Sequence, residues 1–236
     1  MTTRAETVHK VTAFVTRGAG PDRELLVFGH PRAGIQLPAG TVEPGEPIEA
    51  AVLREVEEET GLTGIVIIAA LGTVPEAMGP DGRMITTRIS LRAEPRETAA
   101  GIDVTLQGKL IISELGRGLT VRQIRDETGY LVEGGYAKIG YDLYDIRGSH
   151  DWVLRETVVG WVPQEAITAD VQRHLFHLRT TGPTPDRWVH HGDVPNCELY
   201  WVRLTEDPGL IRGHDTLLLD VLAALQGHCS TFRSSG

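Results

Sequence analysis

The sequence predicts an α+β protein interrupted by a small all-β segment. Three observations lead there. Strand-like apolar runs open the chain and return near its end. Two stretches carry helix-forming composition and spacing, residues 47–60 and 216–225. Between them, from about Met84 to Thr168, short alternating pieces and glycines succeed one another with few helical signals. That texture suggests an all-β unit.

Each element follows from local chemistry. Val8 to Thr16 alternates imperfectly and predicts a strand. Gly18 to Asp22 is a turn by its Gly and Pro content, and Leu25, Leu26, Val27 and Phe28 make Glu24 to Phe28 a second strand, closing a hairpin. Ile35 to Leu37 is a short apolar piece running into Pro38-Ala39-Gly40. After a Glu-Pro-Gly-Glu turn at Glu43 to Glu46, Pro47 to Thr60 predicts a helix. Pro47 suits its first turn, Gly61 suits the residue past its end, and Ala51, Val52 and Val56 face inward. Ile65 to Leu71 is an apolar, β-branched run expected to be a buried strand. Short strands are expected at Arg88 to Arg92, Leu119 to Ile124, Tyr136 to Tyr144 and Val158 to Val162, then at Leu175 to Leu178 and Glu198 to Leu204. Thr216 to Leu225 predicts a second helix, with Leu217, Leu218, Val221, Leu222 and Leu225 on one face. A loose tail is expected from Gly227.

The bulk properties bound the function. The chain has 236 residues, enough for one or two domains. A formal net charge of −9 argues against a non-specific nucleic-acid-polymer binder, which needs a basic surface to displace counterions. A single nucleotide remains open as a substrate, because a bound divalent metal supplies positive charge locally. The two cysteines, Cys197 and Cys229, form no CxxC pattern, so neither a disulfide framework nor a zinc ribbon is indicated. No apolar signal region or membrane-length run is visible, and the expectation is a cytoplasmic protein with no membrane partner.

The chemistry concentrates between Gly40 and Leu62. Glu55, Glu58 and Glu59 stand at i, i+3 and i+4, on one face of the predicted helix. Like charges so placed repel by roughly 0.2–0.5 kcal/mol per pair. A hard divalent cation turns that repulsion into attraction, since Mg²⁺ takes carboxylate oxygens. A solvated acidic face is the simpler reading of such a run taken alone. Two features weaken it. The glutamates crowd the helix C-terminal half, where the macrodipole favours cations, and a Pro-Ala-Gly loop precedes the helix, able to approach a phosphate or metal closely.

With Gly40, Glu46, Arg54, Glu55, Val56, Glu58, Glu59, Gly61 and Leu62 in place, this stretch resembles the signature of the Nudix hydrolase family. Every fixed position is filled, and a pattern constrained at so many positions is very specific. The resemblance implies roles. Glu58 and Glu59 would bind metal with the Gly40 carbonyl, and Glu55 would bind metal or act as general base. Arg54 would hold a catalytic glutamate by a charge-assisted pair, Glu46 would brace the loop-to-helix turn, and Gly61 would let the chain leave the helix. Glu198 is a weaker candidate for a further ligand or base, and a solvent-facing strand residue is its simpler reading. The cofactor implied is Mg²⁺ or Mn²⁺. The metal would polarise a diphosphate and activate water while a carboxylate takes the water's proton. The substrate would be a nucleotide-type small molecule, a nucleoside diphosphate linked to another moiety.

The resemblance also implies a mixed sheet sandwiched between helices, in a domain of roughly 130–160 residues. Residues 1–79 and 169–228 would form this domain, with 229–236 as a tail. Residues 80–168 would be inserted. That segment resembles a bacterial SH3-like barrel through Ser90 to Pro95, Leu115 to Val121 and Gly160 to Pro163, and an elaborated β-loop of the same domain explains it nearly as well. An inserted barrel could bind a partner, cover the active site or form a homodimer.

His174, His177, His190, His191 and His214 read as ordinary surface or pocket histidines rather than a zinc site. Trp161, Trp188 and Trp201 could stack on a base but read more readily as packing. In ADP-ribose-cleaving relatives a proline stands at a set distance past the motif, and Pro75 and Pro80 fall on either side of it. No substrate is assigned. Two other functions share the fold: a non-catalytic nucleotide sensor, which has no need of an unbroken glutamate set, and an isoprenoid-diphosphate isomerase, which needs a cysteine such as Cys197 near the pocket.

Overall fold

A computed structural model describes residues 6–30, 34–106, 109–146, 152–192, 196–211 and 213–226. The expected tail from Gly227, with Cys229, lies outside the described residues. The described residues form two compact units. One draws on Met1–Lys10, Val74–Asp145 and Val153–Arg173, the other on Val11–Thr73, Ile146–Trp152 and His174–Gly236. No described helix is long and apolar enough to cross a membrane.

The second unit carries the motif. Its strands begin β1 (Val8–Arg17), β2 (Glu24–His30), β3 (Gly34–Gln36) and β4 (Ala39–Thr41), then helix α1 (Ile48–Thr60) and β5 (Ile65–Pro75). Strands Val171–Thr180, Arg187–His190 and Cys197–Arg203 follow, and helix α2 (His214–Leu225) comes last. The sheet runs Arg187–His190, Cys197–Arg203, β2, β1, Val171–Thr180, β5, with β3 beside β2 and β4 beside β1. The expected hairpin is present, antiparallel with Thr16 opposite Leu25, and its turn tightens into a 3₁₀ turn at Gly20–Asp22.

Val11, Ala13 and Val15 of β1 and Leu26 and Phe28 of β2 share one core with Ala51, Val52 and Val56 of α1. The residues between them, Thr12, Phe14, Thr16, Leu25 and Val27, are also buried. Side chains alternate faces along a strand, so both faces of the central sheet are covered. Leu218, Val221 and Leu225 of α2 are buried, as the predicted stripe requires. The expectation of a buried strand at Ile65 to Leu71 is corrected. Ile65 and Ile67 pack on the core, but Val66 and Ile68 are exposed. Along β5 the partly buried and exposed positions alternate at its start, so one face packs on the core and the other is open.

The first unit is all-β among its described residues apart from a 3₁₀ turn at Gln164–Ala166. Its largest sheet runs Val132–Glu133, Tyr136–Ile146, Thr120–Gln123, Gly82–Ile85, Ile167–Thr168, with Trp152–Pro163 beside Tyr136–Ile146. Ile85, Leu91, Leu115, Val121, Ala137, Ile139, Val162 and Ile167 form its core. The expected strand Arg88 to Arg92 is reduced to isolated bridges, Ile89 to Leu115 and Arg92 to Trp161. The second bridge joins the piece from Ser90 to Pro95 to that from Gly160 to Pro163, and the first reaches Leu115 from the residue just before Ser90. Arg92 and Trp161 exchange both backbone hydrogen bonds, at 2.8 and 2.9 Å. A Cβ on Gly160 would stand 2.6 Å from Leu91 Cγ, so only glycine allows that approach.

His177, on Val171–Thr180, is 8% exposed, with Nε2 2.8 Å from Thr16 Oγ1. The Thr16 hydroxyl donates to the Leu178 carbonyl, so it accepts from His177 Nε2–H. Burial first, then the charges of Arg23 and Arg179, lower the His177 pKa from 6.5 to about 4. The folded state therefore keeps His177 neutral where the unfolded chain already binds a proton. Stability is full above pH 6.5, falls as pH drops towards about 4 and levels below that. The shift corresponds to roughly 3 kcal/mol at most. Urea unfolding between pH 7 and pH 4 is expected to show this loss, and His177→Gln, which keeps an N–H for Thr16, is expected to flatten it.

Candidate active site

Helix α1 forms where the sequence places it. Pro47 is extended at φ −63° and ψ 140° and caps it from outside. Gly61 ends it in the left-handed region at φ 70°, where its N–H reaches the Glu57 carbonyl at 2.8 Å. With Ala51, Val52 and Val56 committed to the core, Arg54, Glu55, Glu58 and Glu59 turn towards the loop that carries β4.

Arg54 organises that loop. Its Nε and Nη2 take the two Glu46 oxygens at 2.8 and 3.0 Å, a forked pair. Nη1 donates to Glu55 Oε1 at 2.9 Å and to Glu58 Oε2 at 2.8 Å. Nη2 also reaches the Thr41 carbonyl at 3.1 Å. Glu46 Oε2 accepts the Glu43 N–H at 3.0 Å as well, which braces the turn before the helix. Arg54 was expected to hold one glutamate and in fact holds three. The hydrogen bond from Arg54 keeps the Glu46 carboxyl below the usual range. Glu55 moves the other way: burial pushes its carboxyl up against the pull of Arg54.

Gly40 lies against Glu55. A Cβ there would stand 1.9 Å from the Glu55 carboxyl carbon, so the carboxylate occupies the space a side chain would fill. Glu59 Oε2 accepts the Ala39 N–H at 2.9 Å. The β4 loop is thus tied to Glu55, Glu59 and Arg54 together. Glu55 has a side chain 13% exposed and Glu58 one 46% exposed, so Glu58 is the more open to an arriving molecule.

The far end of α1 is held by a strand the sequence reading did not connect with it. Trp188 Nε1 donates to the Thr60 carbonyl at 2.8 Å. His190 Nε2 lies 2.9 Å from the Glu58 carbonyl, which can only accept, so Nε2 carries the proton. These bonds satisfy carbonyls that a helix end leaves without partners. Gly61 and Gly192 make room for this clasp, since a Cβ on either would stand 2.8 Å from the His190 ring or 2.2 Å from the Glu58 oxygen. Sequence spacing could not reveal it, because the partners are far apart in the chain.

Other candidates are placed elsewhere. Glu198 pairs with Arg187 at 2.7 Å, both side chains largely exposed. Cys197 is buried in the core, and burial followed by the charge of Glu59 pushes its thiol up, away from the thiolate a nucleophile needs. The histidines have separate partners: His174 meets Thr73, His177 meets Thr16, and His214 accepts the Leu37 N–H. Trp201 packs under Arg17 at 4.7 Å and donates to the Pro185 carbonyl.

The Gly40 carbonyl and the carboxylates of Glu55, Glu58 and Glu59 are all hard oxygen donors, a set that suits Mg²⁺ or Mn²⁺. Among the described residues no three acidic, His or Cys side chains converge on one point. The Arg54 guanidinium stands between Glu55 and Glu58.

Residues 8–109 match the family described as NUDIX domain. Three relatives share parts of this chain. The NAD-capped RNA hydrolase NudC of Deinococcus radiodurans is 47% identical over 58 residues, 22% of this chain and 20% of its own. The putative mutator protein MutT4 of Mycobacterium tuberculosis is 37% identical over 92 residues, 35% of this chain and 37% of its own. The ADP-ribose pyrophosphatase of Saccharomyces cerevisiae is 47% identical over 51 residues, 20% of this chain and 22% of its own. The chain therefore spans well under half the length of each.

Arg54→Lys tests the hub. A lysine keeps the charge but cannot fork onto Glu46 while reaching Glu55 and Glu58. The partly buried carboxylates then lose charge-assisted bonds worth about 1.5–3 kcal/mol each before solvent screening, and less after it. Urea denaturation is expected to show a loss of about 1–3 kcal/mol, and an unchanged midpoint would show that the hub does not stabilise the fold.

Proposed function

We propose that this chain, which carries a Nudix domain over residues 8–109, is a metal-dependent hydrolase of a diphosphate bond in a nucleoside diphosphate linked to another moiety. The observation that carries this reading is the arrangement around Arg54, in which one guanidinium joins Glu46, Glu55 and Glu58 beside Gly40. The names of two relatives support the substrate class. They point to NAD-capped RNA and to ADP-ribose, and both contain a diphosphate between a nucleoside and another group.

In this reading Glu55, Glu58 and Glu59, with the Gly40 carbonyl, would hold Mg²⁺ or Mn²⁺. Bound there, the metal would neutralise diphosphate charge and lower the pKa of a water. Arg54 holds Glu46 and sets the directions of Glu55 and Glu58. Glu55 is the proposed base. The water oxygen forms a bond to phosphorus, the phosphorus–oxygen anhydride bond breaks, and two phosphate monoesters leave. His190 and Trp188 keep the last turn of α1 in register for this. Residues 80–168 are proposed as an insertion of SH3-like type, supported by the pairing of Arg92 with Trp161, with the family match running on into it to residue 109. A cytoplasmic location and a homodimer belong to the same proposal.

The test is turnover of a panel containing ADP-ribose, nicotinamide dinucleotides, nucleotide sugars, diadenosine polyphosphates and nucleoside triphosphates, with Mg²⁺ or Mn²⁺. One class is expected to be cleaved, with loss on chelation and a loss of roughly 10²-fold or more in Glu58→Gln. Gly40→Ala is expected to lose activity similarly while melting within a few degrees of the parent, because the flexible Glu55 side chain can move aside. No turnover of any class, with nucleotide still bound, would replace the hydrolase by the sensor.

A further inference from the structure

The all-β unit has a cavity that the proposed hydrolysis does not use. It measures about 640 Å³, within the range of small-ligand sites, and is lined by Arg83, Gln123, Tyr130, Val132, Gln164 and Ile167 among others. Gln123 is the unusual member. It is 6% exposed and lies on the same side of its strand as the core residue Val121. Its backbone N–H is taken by the Asp81 carbonyl at 2.8 Å. Its side-chain amide has no hydrogen-bond partner among the described residues. No fully buried side-chain polar atom is orphaned there either, so the amide opens into the cavity. An amide so placed has no protein partner to give up when a ligand enters, and water pairs with it meanwhile.

The same lining holds a guanidinium–aromatic pair. The Arg83 guanidinium lies 4.9 Å from the centre of the Tyr130 ring. Both groups are tied to one carbonyl: Arg83 Nη1 and Tyr130 Oη each donate to Pro80 O, at 3.1 and 2.5 Å. Arg83 also donates to Gly82 O at 2.7 Å. Guanidinium and aromatic planes are platforms for planar rings. A glutamine amide presents a donor and an acceptor side by side, which matches the edge of a nucleobase. Val132 and Ile167 supply apolar walls, and Glu165 is the one acidic residue of the lining. The combination favours a neutral, planar, amide-edged ring.

We propose that this cavity binds the base of a nucleoside, with Gln123 pairing to its edge and the Arg83–Tyr130 pair stacking near its face. The site is independent of the hydrolase reading. Equilibrium dialysis of the full chain in chelator, against adenosine, guanosine, cytidine, uridine and nicotinamide riboside, tests it. These probes carry no phosphate, which removes the metal-bridged contacts of the hydrolase reading, and the Gln123 and Arg83 variants assign the binding to this cavity. At least one is expected to bind with a Kd below roughly 1 mM. Gln123→Leu and Arg83→Ala are each expected to weaken it by about tenfold or more, and Glu58→Gln to leave it unchanged. Gln123→Glu exchanges a donor for an acceptor and is expected to change which base is preferred. Gln123→Leu should melt close to the parent, since it leaves no protein group without its partner. No binding by any probe at about 1 mM, or binding untouched by Gln123→Leu and Arg83→Ala, would overturn the proposal.

Discussion

The arrangement of the candidate active site depends on one guanidinium. Arg54 has five N–H groups in a rigid plane, and each is committed: two to Glu46, one to the Thr41 carbonyl, one each to Glu55 and Glu58. Four glutamates in a short stretch would otherwise repel one another near a helix C-terminus, where the macrodipole adds to the repulsion. A lysine would offset the charge without setting the geometry. The fork of arginine does both, because its planar donors fix the direction of each carboxylate they meet.

Around that hub the loop and helix support each other through small contacts with steep distance dependence. Gly40 allows Glu55 to lie against the β4 backbone, and Glu59 takes the Ala39 N–H. The opposite end of α1 is fixed by Trp188 and His190, which donate to the Thr60 and Glu58 carbonyls. The acidic helix is therefore anchored at its face by the loop before it and at its end by a strand much later in the chain. The exposed pair Arg187–Glu198 sits on the same two late strands but is a surface ion pair, worth little to stability.

The all-β unit solves a different problem. Its strands are short, and its core depends on close approach between separated pieces, as where Gly160 meets Leu91 and Arg92 pairs with Trp161. Its core is apolar and its buried polar atoms are satisfied. Gln123 stands out against that background, a deeply placed amide opening into a cavity.

Local chemistry in the sequence determined a great deal here. Helix α1, its glycine stop at Gly61, its inward face of Ala51, Val52 and Val56, and the hairpin of β1 and β2 all follow from spacing and residue type. The residues of the candidate site were legible for the same reason: they lie within one loop and one helix, where neighbours in sequence are neighbours in space. Tertiary structure decided the rest. It left one face of β5 open, with Val66 and Ile68 exposed although their composition reads as core. It separated the histidines onto different partners and turned Glu198 outward. It brought Trp188 and His190 to the end of α1, and gave Arg54 three glutamates where the family resemblance implied one. A periodic pattern reports which face of an element is apolar; which strand ends the sheet, and which distant side chain meets a helix carbonyl, depend on strand order and packing, which no local pattern encodes.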